Sequence, residues 1–519
     1  MEKLLEIIGF INDNILWGIP LIVALLGTGI ILTIRTRVVQ VRKFGDSVSS
    51  TIVPTIKSMG KKKQGGDGKT KTISQFEAFA AAISGTVGTG NIVGVAGAIL
   101  SGGPGAVFWM WVSAFFGLCT NYSENVLGLY FRKKDKDGNM HGGPMYYIEN
   151  GMRPKFRGKP LSFKWLGMVF AVCCMLAASG MGMVQANNIT GTLQSTINQG
   201  GSEQTNTIIG ICVAVAVVIL TALIVIGGIQ RIGKVASMIV PFMAILFIVM
   251  ALIIIFINVT AIPAAFVLIF KSAFSFKAVG GGVLGYGIMM AMRYGFARGI
   301  FSNEAGLGSS VIAHCSSDTK EPVKQGLWGI FEVFLDTFVI CTLTALTILT
   351  TIISGNGDIT NEGVMALSKQ FNNSGLSIYA FVNTLGTFGN IVFSVLLPIF
   401  AFTTILAWSY YGEMCAQYLF GEKNHKVSGM VFKIIYVSTL AVGAITASDL
   451  IWALDDMFNA LMALPNLIAL ICMSGLICKI TKNYYDRKKG LDVEPMLSAY
   501  PEVNEELKAK LEEEYASVE

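Results

Sequence analysis

One apolar segment that interrupts itself limits the fold of this chain more than any other feature. Phe79-Ala80-Ala81-Ala82-Ile83 runs into Ser84-Gly85-Thr86-Val87-Gly88-Thr89-Gly90-Asn91 and resumes as Ile92-Val93-Gly94-Val95-Ala96. Hydrocarbon offers no partner to free backbone N–H and C=O groups, so unwound chain at membrane depth persists only where protein buries it or a cavity is lined by it. The interruption therefore predicts a binding site.

The surroundings are those of a membrane. Of 519 residues, 53% are hydrophobic and 14% charged, far from average soluble usage. The expected fold class is an all-α polytopic membrane protein. A span needs about 20 apolar residues, and about eleven such stretches lie near residues 16–35, 74–100, 105–131, 163–193, 206–228, 234–258, 282–313, 325–353, 379–410, 429–447 and 456–478. Acidic Glu2, Glu6 and Asp13 precede the first, and no small-residue cleavage site follows, so it reads as a retained span rather than a signal peptide. The nine cysteines sit mostly inside apolar stretches without metal-ligand spacing, which suits packing.

The net charge of +6 speaks to topology, not to nucleic acid. Arg35, Arg37, Arg42, Lys43, Lys57, Lys61, Lys62, Lys63, Lys69 and Lys71 crowd the first connection. Short loops rich in Lys and Arg stay cytoplasmic, which puts the N-terminus outside. Arg132-Lys133-Lys134, Arg231 with Lys234, Lys320 with Lys324, Lys423 with Lys426, and Arg487-Lys488-Lys489 then all fall inside, as does the C-terminus. The acidic, helix-prone tail from Leu491 is expected to be a solvated appendage.

Setting the first span aside, the remaining ten divide into two sets of five, and each set opens with a polar, glycine-interrupted helix. The second interruption is Arg298-Gly299-Ile300-Phe301-Ser302-Asn303-Glu304-Ala305-Gly306-Leu307-Gly308-Ser309-Ser310. Five is odd, so the two sets run in opposite senses. Inverted repeats with discontinuous first helices are the plan of many secondary transporters, with substrate and ions at the breaks. The expected divisions are 1–73 (first span and basic loop), 74–258 (first repeat), 259–281 (extracellular connection), 282–480 (second repeat) and 481–519 (tail). At the first break, the amides of Thr89 and Gly90 suit a carboxylate. Carbonyls freed by the break, with the side-chain oxygens of Thr86 and Asn91, suit a small hard cation. Gly94 and Gly97 are expected to serve close helix packing.

These residues resemble a known family. Ala82 to Ala96, Gly102-Gly103-Pro104-Gly105-Ala106-Val107-Phe108-Trp109-Met110-Trp111, Gly142-Gly143-Pro144-Met145-Tyr146-Tyr147 and Gly299 to Ser309 are similar to the motifs of the alanine or glycine:cation symporters. Trp408-Ser409-Tyr410-Tyr411-Gly412-Glu413 and Ile445-Thr446-Ala447-Ser448 continue the likeness, which covers nearly everything from Leu16 to about Lys482. It implies a leucine-transporter-type core in a 5+5 inverted repeat, preceded by one extra span. It also implies sodium-coupled uptake of L-alanine, glycine or a similarly small amino acid, with the D-enantiomer left open, across a bacterial cytoplasmic membrane. Carried over by motif, Thr86, Thr89, Gly90 and Gln185 would contact the substrate, and Phe301 and Trp408 would close over it. A sodium ion would lie among the carbonyls of Ser84 and Val87 and the hydroxyls of Thr403 and Thr404. Asn91 is an added candidate, for a second sodium that the family does not require.

Other residues keep two readings. An ionisable side chain at a span centre costs roughly 2.5 to 3.5 kcal/mol on insertion scales and is usually paired or functional. Glu304 is a structural pair or helix cap on one reading, a substrate or gating group on the other. Arg298, with Arg293, is a gate candidate, with Glu124, Asp336 or Glu413 as partners. Trp109, Trp111, Phe115 and Phe116 read as lipid-facing or interfacial anchors. Trp408 differs, standing about one turn after Thr403 and Thr404. His141 and His425 fall in loops and His314 at the inner end of the second broken helix. With no H-E-x-x-H, nucleophile elbow, Walker A sequence or Cys/His cluster, no enzyme is expected. The alternatives to a symporter are an amino-acid-gated ion channel and an amino-acid sensor on a transporter scaffold.

Overall fold

The computed structural model describes residues 2–58, 72–135, 138–153, 155–156, 159–198, 201–274, 286–356, 366, 370–371, 373–421, 424–446 and 449–516. Lys61, Lys62, Lys63, Lys69, Lys71, Lys423, the Ala447-Ser448 end of one motif, and residues 275–285 around the expected extracellular connection lie outside them.

Helices make up almost all of it, apart from two hairpins of two-residue strands. After a leading helix at Glu2–Ile11 comes α1 (Ile19–Arg35). The first set consists of α2 (Gln75–Thr86) and α3 (Val93–Gly102), then α4 (Ala106–Tyr130), α5 (Lys164–Ile197), α6 (Glu203–Val225) and α7 (Gly228–Ile257). A short helix, α8 (Ile262–Ala273), leads on to α9 (Tyr286–Asn303) and the single turn α10 (Val311–His314). Next is α11, running from Pro322–Val333 through a π-helical stretch, Phe334–Cys341, into Thr342–Asn356. The set ends with α12 (Asn373–Phe420), α13 (His425–Ile445) and α14 (Asp449–Lys488). Local chemistry fixes where α2 begins: Ser74 Oγ accepts from Glu77 N at 3.3 Å while Ser74 N donates to Glu77 Oε2 at 2.9 Å, satisfying amides that a helix start leaves open.

Counterparts meet across the two sets. The second helices, α4 and α11, pack together, as do the third helices, α5 and α12, and the fourth, α6 and α13. The α5–α14 contact is mirrored by α12–α7. Such reciprocal pairing is what two copies of one unit, related by a two-fold axis, produce.

Among the described residues, eight helices are long and apolar enough to cross a membrane, and a ninth if the pair α2/α3 counts as one span. Of the eleven expected, α4 and α9/α10 do not reach that criterion. Both stand where expected, but α4 carries buried Asn121, Ser123, Glu124 and Asn125, and α9 carries Arg293, Arg298 and Asn303. Their polar faces meet protein rather than lipid, so lipid does not select their composition.

Two expectations about surfaces fail. Trp109 and Trp111 aim their indole N–H groups at protein, at Ala273 O (3.3 Å) and Thr342 Oγ1 (2.8 Å), so they pack rather than anchor in lipid; Phe115 remains exposed. The tail is not a solvated appendage. Ala499 N donates to Tyr130 O at 2.8 Å, Tyr500 Oη to Phe131 O at 3.3 Å, and Lys134 pairs with Glu506 at 3.1 Å. Leu497, Leu507 and Leu511 bury themselves between the tail's own helix, α15 (Pro501–Ala516), and the chain leading to it. Its acidic face is solvated; Leu497, Leu507 and Leu511 are not. Deleting residues 491–519 is expected to lower the melting temperature of the purified protein, because Tyr130 and Phe131 lose partners at the end of α4; an unchanged melting curve would show the tail to be idle.

Candidate functional site

The helix ladder fails at the first break in a specific way. Val87 N still reaches Ile83 O at 2.7 Å, but Gly88 N turns to Thr86 O (3.1 Å) and Asn91 Oδ1 (2.9 Å). Asn91 N goes to Gly88 O and Ile92 N to Thr89 O. The carbonyls of Ser84 and Val87 thereby lose the amides four residues on. The amides of Thr89 and Gly90 take no part in closing the turn. The helices on either side meet at 54°, and every residue from Ser84 to Asn91 is buried.

At the second break the backbone enters the left-handed region at Glu304 (φ 55°), Gly306 (φ 97°) and Gly308 (φ 79°). A non-glycine residue there costs about 1–2 kcal/mol, and its surroundings hold it. Glu304 Oε1 accepts from Trp408 Nε1 at 3.1 Å and Oε2 accepts from the Ser309 hydroxyl. Gly306 N donates to Glu124 Oε1 at 3.0 Å, and Asn466 Nδ2 donates to Gly306 O at 2.9 Å and to Glu124 Oε1 at 2.5 Å. The Tyr147 hydroxyl donates in turn to Asn466 Oδ1. Unwound backbone that lipid cannot satisfy is satisfied here by buried side chains.

The two breaks touch. A Cβ on Gly90 would lie 3.5 Å from Phe301 Cδ1 and 3.7 Å from Ser302 Cα. Thr89 Oγ1 donates to Gln185 Oε1 at 2.8 Å and accepts from Asn188 Nδ2 at 3.0 Å. Asn188 escaped the sequence reading, although it follows Gln185 by three residues and so shares its helix face. A Cβ on Gly88 would stand 2.3 Å from Thr404 Oγ1, which places that hydroxyl against the break. Thr403 is directed elsewhere, its hydroxyl donating to Phe400 O (3.0 Å) beside Met243 Sδ (3.6 Å). Thr86 Oγ1 returns to Ile83 O of its own helix at 3.3 Å. Trp408 is fully buried, packed edge-on against Tyr411. Gly94, expected to serve close packing, has no atom within 4 Å of where its Cβ would be. Buried and one turn after Gly90, it borders open space.

A third element joins both breaks, and only its residue type was visible beforehand. Asp336, in the π-helical stretch of α11, accepts from Asn91 Nδ2 (2.5 Å), Ser302 Oγ (3.0 Å) and Thr337 Oγ1 (2.8 Å), while Asn303 Nδ2 donates to Thr337 Oγ1 at 3.0 Å. Asn91 is thus engaged through both side-chain atoms, at Gly88 N and at Asp336. The gate pairings do not form as expected. Arg298 faces Asp456 at 3.8 Å and lies over the rings of Phe301 and Trp452, whereas Glu124 and Asp336 bond within the breaks and Glu413 pairs with Lys433 at 2.8 Å. Burial decides this: Arg298 is 24% exposed at its side chain, while Glu124 and Asp336 are 1% and 0% exposed. A guanidinium stays where water reaches it. His314 pairs with Glu332 at 2.8 Å, both fully buried.

Two interrupted helices from matched halves, meeting over released carbonyls, free amides and buried polar side chains, define an integral membrane transporter. A model of the sodium:alanine symporter family matches residues 1–497, and the chain belongs to that family. It is 37% identical over 490 residues to the sodium/alanine symporter AgcS of Methanococcus maripaludis, covering 94% of this chain and 99% of that one. An "uncharacterized transporter" of Haemophilus influenzae is 41% identical over 480 residues, 92% of this chain and 95% of that one. Among solved structures, MhsT in complex with L-phenylalanine aligns over 80% of this chain and 99% of that one, with 15% identity and a TM-score of 0.48. A likeness of that degree says nothing about ligands.

Proposed function

We propose that the protein couples inward sodium movement to uptake of alanine, glycine or a similarly small amino acid by alternating access, and performs no catalysis. The observation that carries this reading is the junction of the breaks: Gly90 against Phe301 on one side, Gly88 against Thr404 on the other. The substrate carboxylate takes the amides of Thr89 and Gly90, whose donors no helix uses. Gln185, its carbonyl end held by Thr89, turns its Nε2 from Met181 Sδ (3.3 Å) to the same ligand. Sodium takes the released carbonyls of Ser84 and Val87 with the Thr404 hydroxyl. Thr403 completes the shell by turning away from Phe400. Anion and cation held side by side raise each other's affinity, which is the coupling that symport needs. Trp408 and Phe301 set the size limit, and the Trp408–Glu304 hydrogen bond ties that lid to the second break. Arg298 and Asp456 close the outer side, with the N-terminus outside, the C-terminus in the cytoplasm and the bilayer of a bacterial cytoplasmic membrane around the spans.

Sodium-driven accumulation of alanine in proteoliposomes tests the reading; sodium conduction without any dependence on amino acid would overturn it. Thr404→Ala is expected to raise the sodium concentration for half-maximal uptake about tenfold, near 1.4 kcal/mol. Thr403→Ala should raise it less. Equal effects would mean that both hydroxyls sit at the ion.

A further inference from the structure

Six residues into α14 the chain buries a carboxylate that nothing holds. Both oxygens of Asp455, and Oδ1 of Asn459 one turn on, are buried and have no hydrogen-bond partner among the described residues. Asn459 Nδ2 donates to Asp455 O at 3.0 Å, so turning the amide over would only press Asn459 Oδ1 against that carbonyl. Gly180 of α5 stands opposite, where a Cβ would lie 3.1 Å from Asp455 Oδ1. The glycine makes room for a carboxyl group, not for a hydrated ion.

The Asn459 amide lies beside the carboxylate but is spent on the Asp455 carbonyl, and no other neighbour supplies a donor. Within electrostatic reach are Asp456 beside it, Arg298 and Glu304 from the second broken helix, and Tyr436 from α13; α5 presents Gly180, and the leading helix that packs on α14 adds exposed Glu6. Arg298 faces Asp456, Glu304 is held by Trp408 and Ser309, and the Tyr436 hydroxyl donates to Ile405 O at 2.8 Å. An ionised carboxylate without donors is among the most unfavourable things a protein can bury.

We propose that Asp455 is a proton-binding site, taking a proton from water in the outer cleft lined by Asn12, Trp17, Arg293 and Arg298 and donating the resulting O–H to Asn459 Oδ1. One proton neutralises the carboxyl group and gives the orphaned amide oxygen a donor. Sodium would need a fuller shell than the two Asp455 oxygens and Asn459 Oδ1, and the Tyr436 hydroxyl beside them is spent on Ile405 O. The site also biases the outer gate, a step that rests on the transport reading above. With Asp455 neutral, Arg298 has one carboxylate to close on, Asp456. With Asp455 ionised, a second carboxylate on the same helix adds to the pull on that guanidinium and tightens the closure. Sodium-driven uptake therefore falls as external pH rises through that titration.

Two readouts on the full-length protein in liposomes separate the parts. The infrared difference between wild type and Asp455→Asn at neutral pH is expected to contain the carbonyl band of a protonated carboxylic acid; its absence overturns the proton. If sodium instead shifts a carboxylate band in wild type alone, the oxygens hold sodium and the proposal is wrong. In uptake, each unit of external pH changes the ratio of ionised to protonated Asp455 about tenfold. Wild type should follow that titration and Asp455→Asn should lose it; a variant that keeps the wild-type slope removes the link to the gate. Should Asp455→Asn be inactive, Asn459→Ala keeps the carboxyl without its acceptor and should move the midpoint of the uptake profile by about one pH unit; an unmoved midpoint is equally fatal.

Discussion

Gly88→Ala is expected to abolish sodium-dependent uptake at ordinary sodium concentrations while leaving a folded protein. The new methyl carbon would sit 2.3 Å from Thr404 Oγ1 and 3.4 Å from Thr404 Cβ. Thr404 must move, and its hydroxyl, now bonded to Phe400 O at 3.1 Å, is the one that lies against the break. Gly88, with φ −134° and ψ −153°, is extended and outside the left-handed region that demands glycine, so the clash carries the effect. Overpacking of this kind costs about 1–3 kcal/mol, tolerable for a chain of this size but concentrated on the sodium site. Half-maximal sodium should rise at least about tenfold, and about a hundredfold if the whole cost falls on binding. The double variant Gly88→Ala/Thr404→Ala removes the clash and should regain part of the loss. Sodium titration of uptake, with melting temperature as the control for folding, decides the matter. An unchanged half-saturation in Gly88→Ala would remove Thr404 from the ion site.

Thr89→Val should act on the amino acid instead. Valine keeps the shape and deletes the hydroxyl that both donates to Gln185 Oε1 and accepts from Asn188 Nδ2. Gln185 Oε1, buried, is then orphaned at about 1–3 kcal/mol, half-buried Asn188 Nδ2 loses its partner at a smaller cost, and Gln185 keeps only the weak Met181 Sδ contact. The KM for alanine should rise roughly tenfold to a hundredfold, with sodium affinity changed far less. Thr89→Ser preserves the relay and should stay within a few-fold of wild type. If valine and serine behave alike, the relay is irrelevant and the amides alone hold the substrate.

Both breaks could be read from sequence because glycine, threonine, asparagine and glutamate have no reason to interrupt an apolar helix other than to line a site. Which residues face them could not. Thr89 and Asn188 are joined across 99 positions, and Asn466 and Glu124 across 342; no periodicity links such pairs. Gln185, Phe301 and Trp408 came from the family resemblance alone. Asp336 was conspicuous as an acid in an apolar stretch, yet its true partners, Asn91 and Ser302, lie on the two breaks and not at a gate. Composition misled wherever protein replaces solvent. In the tail the acidic residues mask Leu497, Leu507 and Leu511, whereas α4 and α9, despite their polar faces, are read as spans and stand where expected. Gly94 misled in the opposite sense, a small residue that borders space instead of a neighbouring helix.

One small contact bears on how the chain is made. Just before α2, Ile73 N donates to Ser316 O at 3.1 Å, and Asp318 N donates to Ile73 O at 2.8 Å, a single parallel bridge just beyond α10. The first broken helix is thus bridged at this end by backbone that the ribosome delivers only after the helices from α3 to α10. Until then the backbone of Ile73, just before α2, lacks both of these hydrogen bonds. Assembly of the two halves and sealing of the site are, at this bridge, one event.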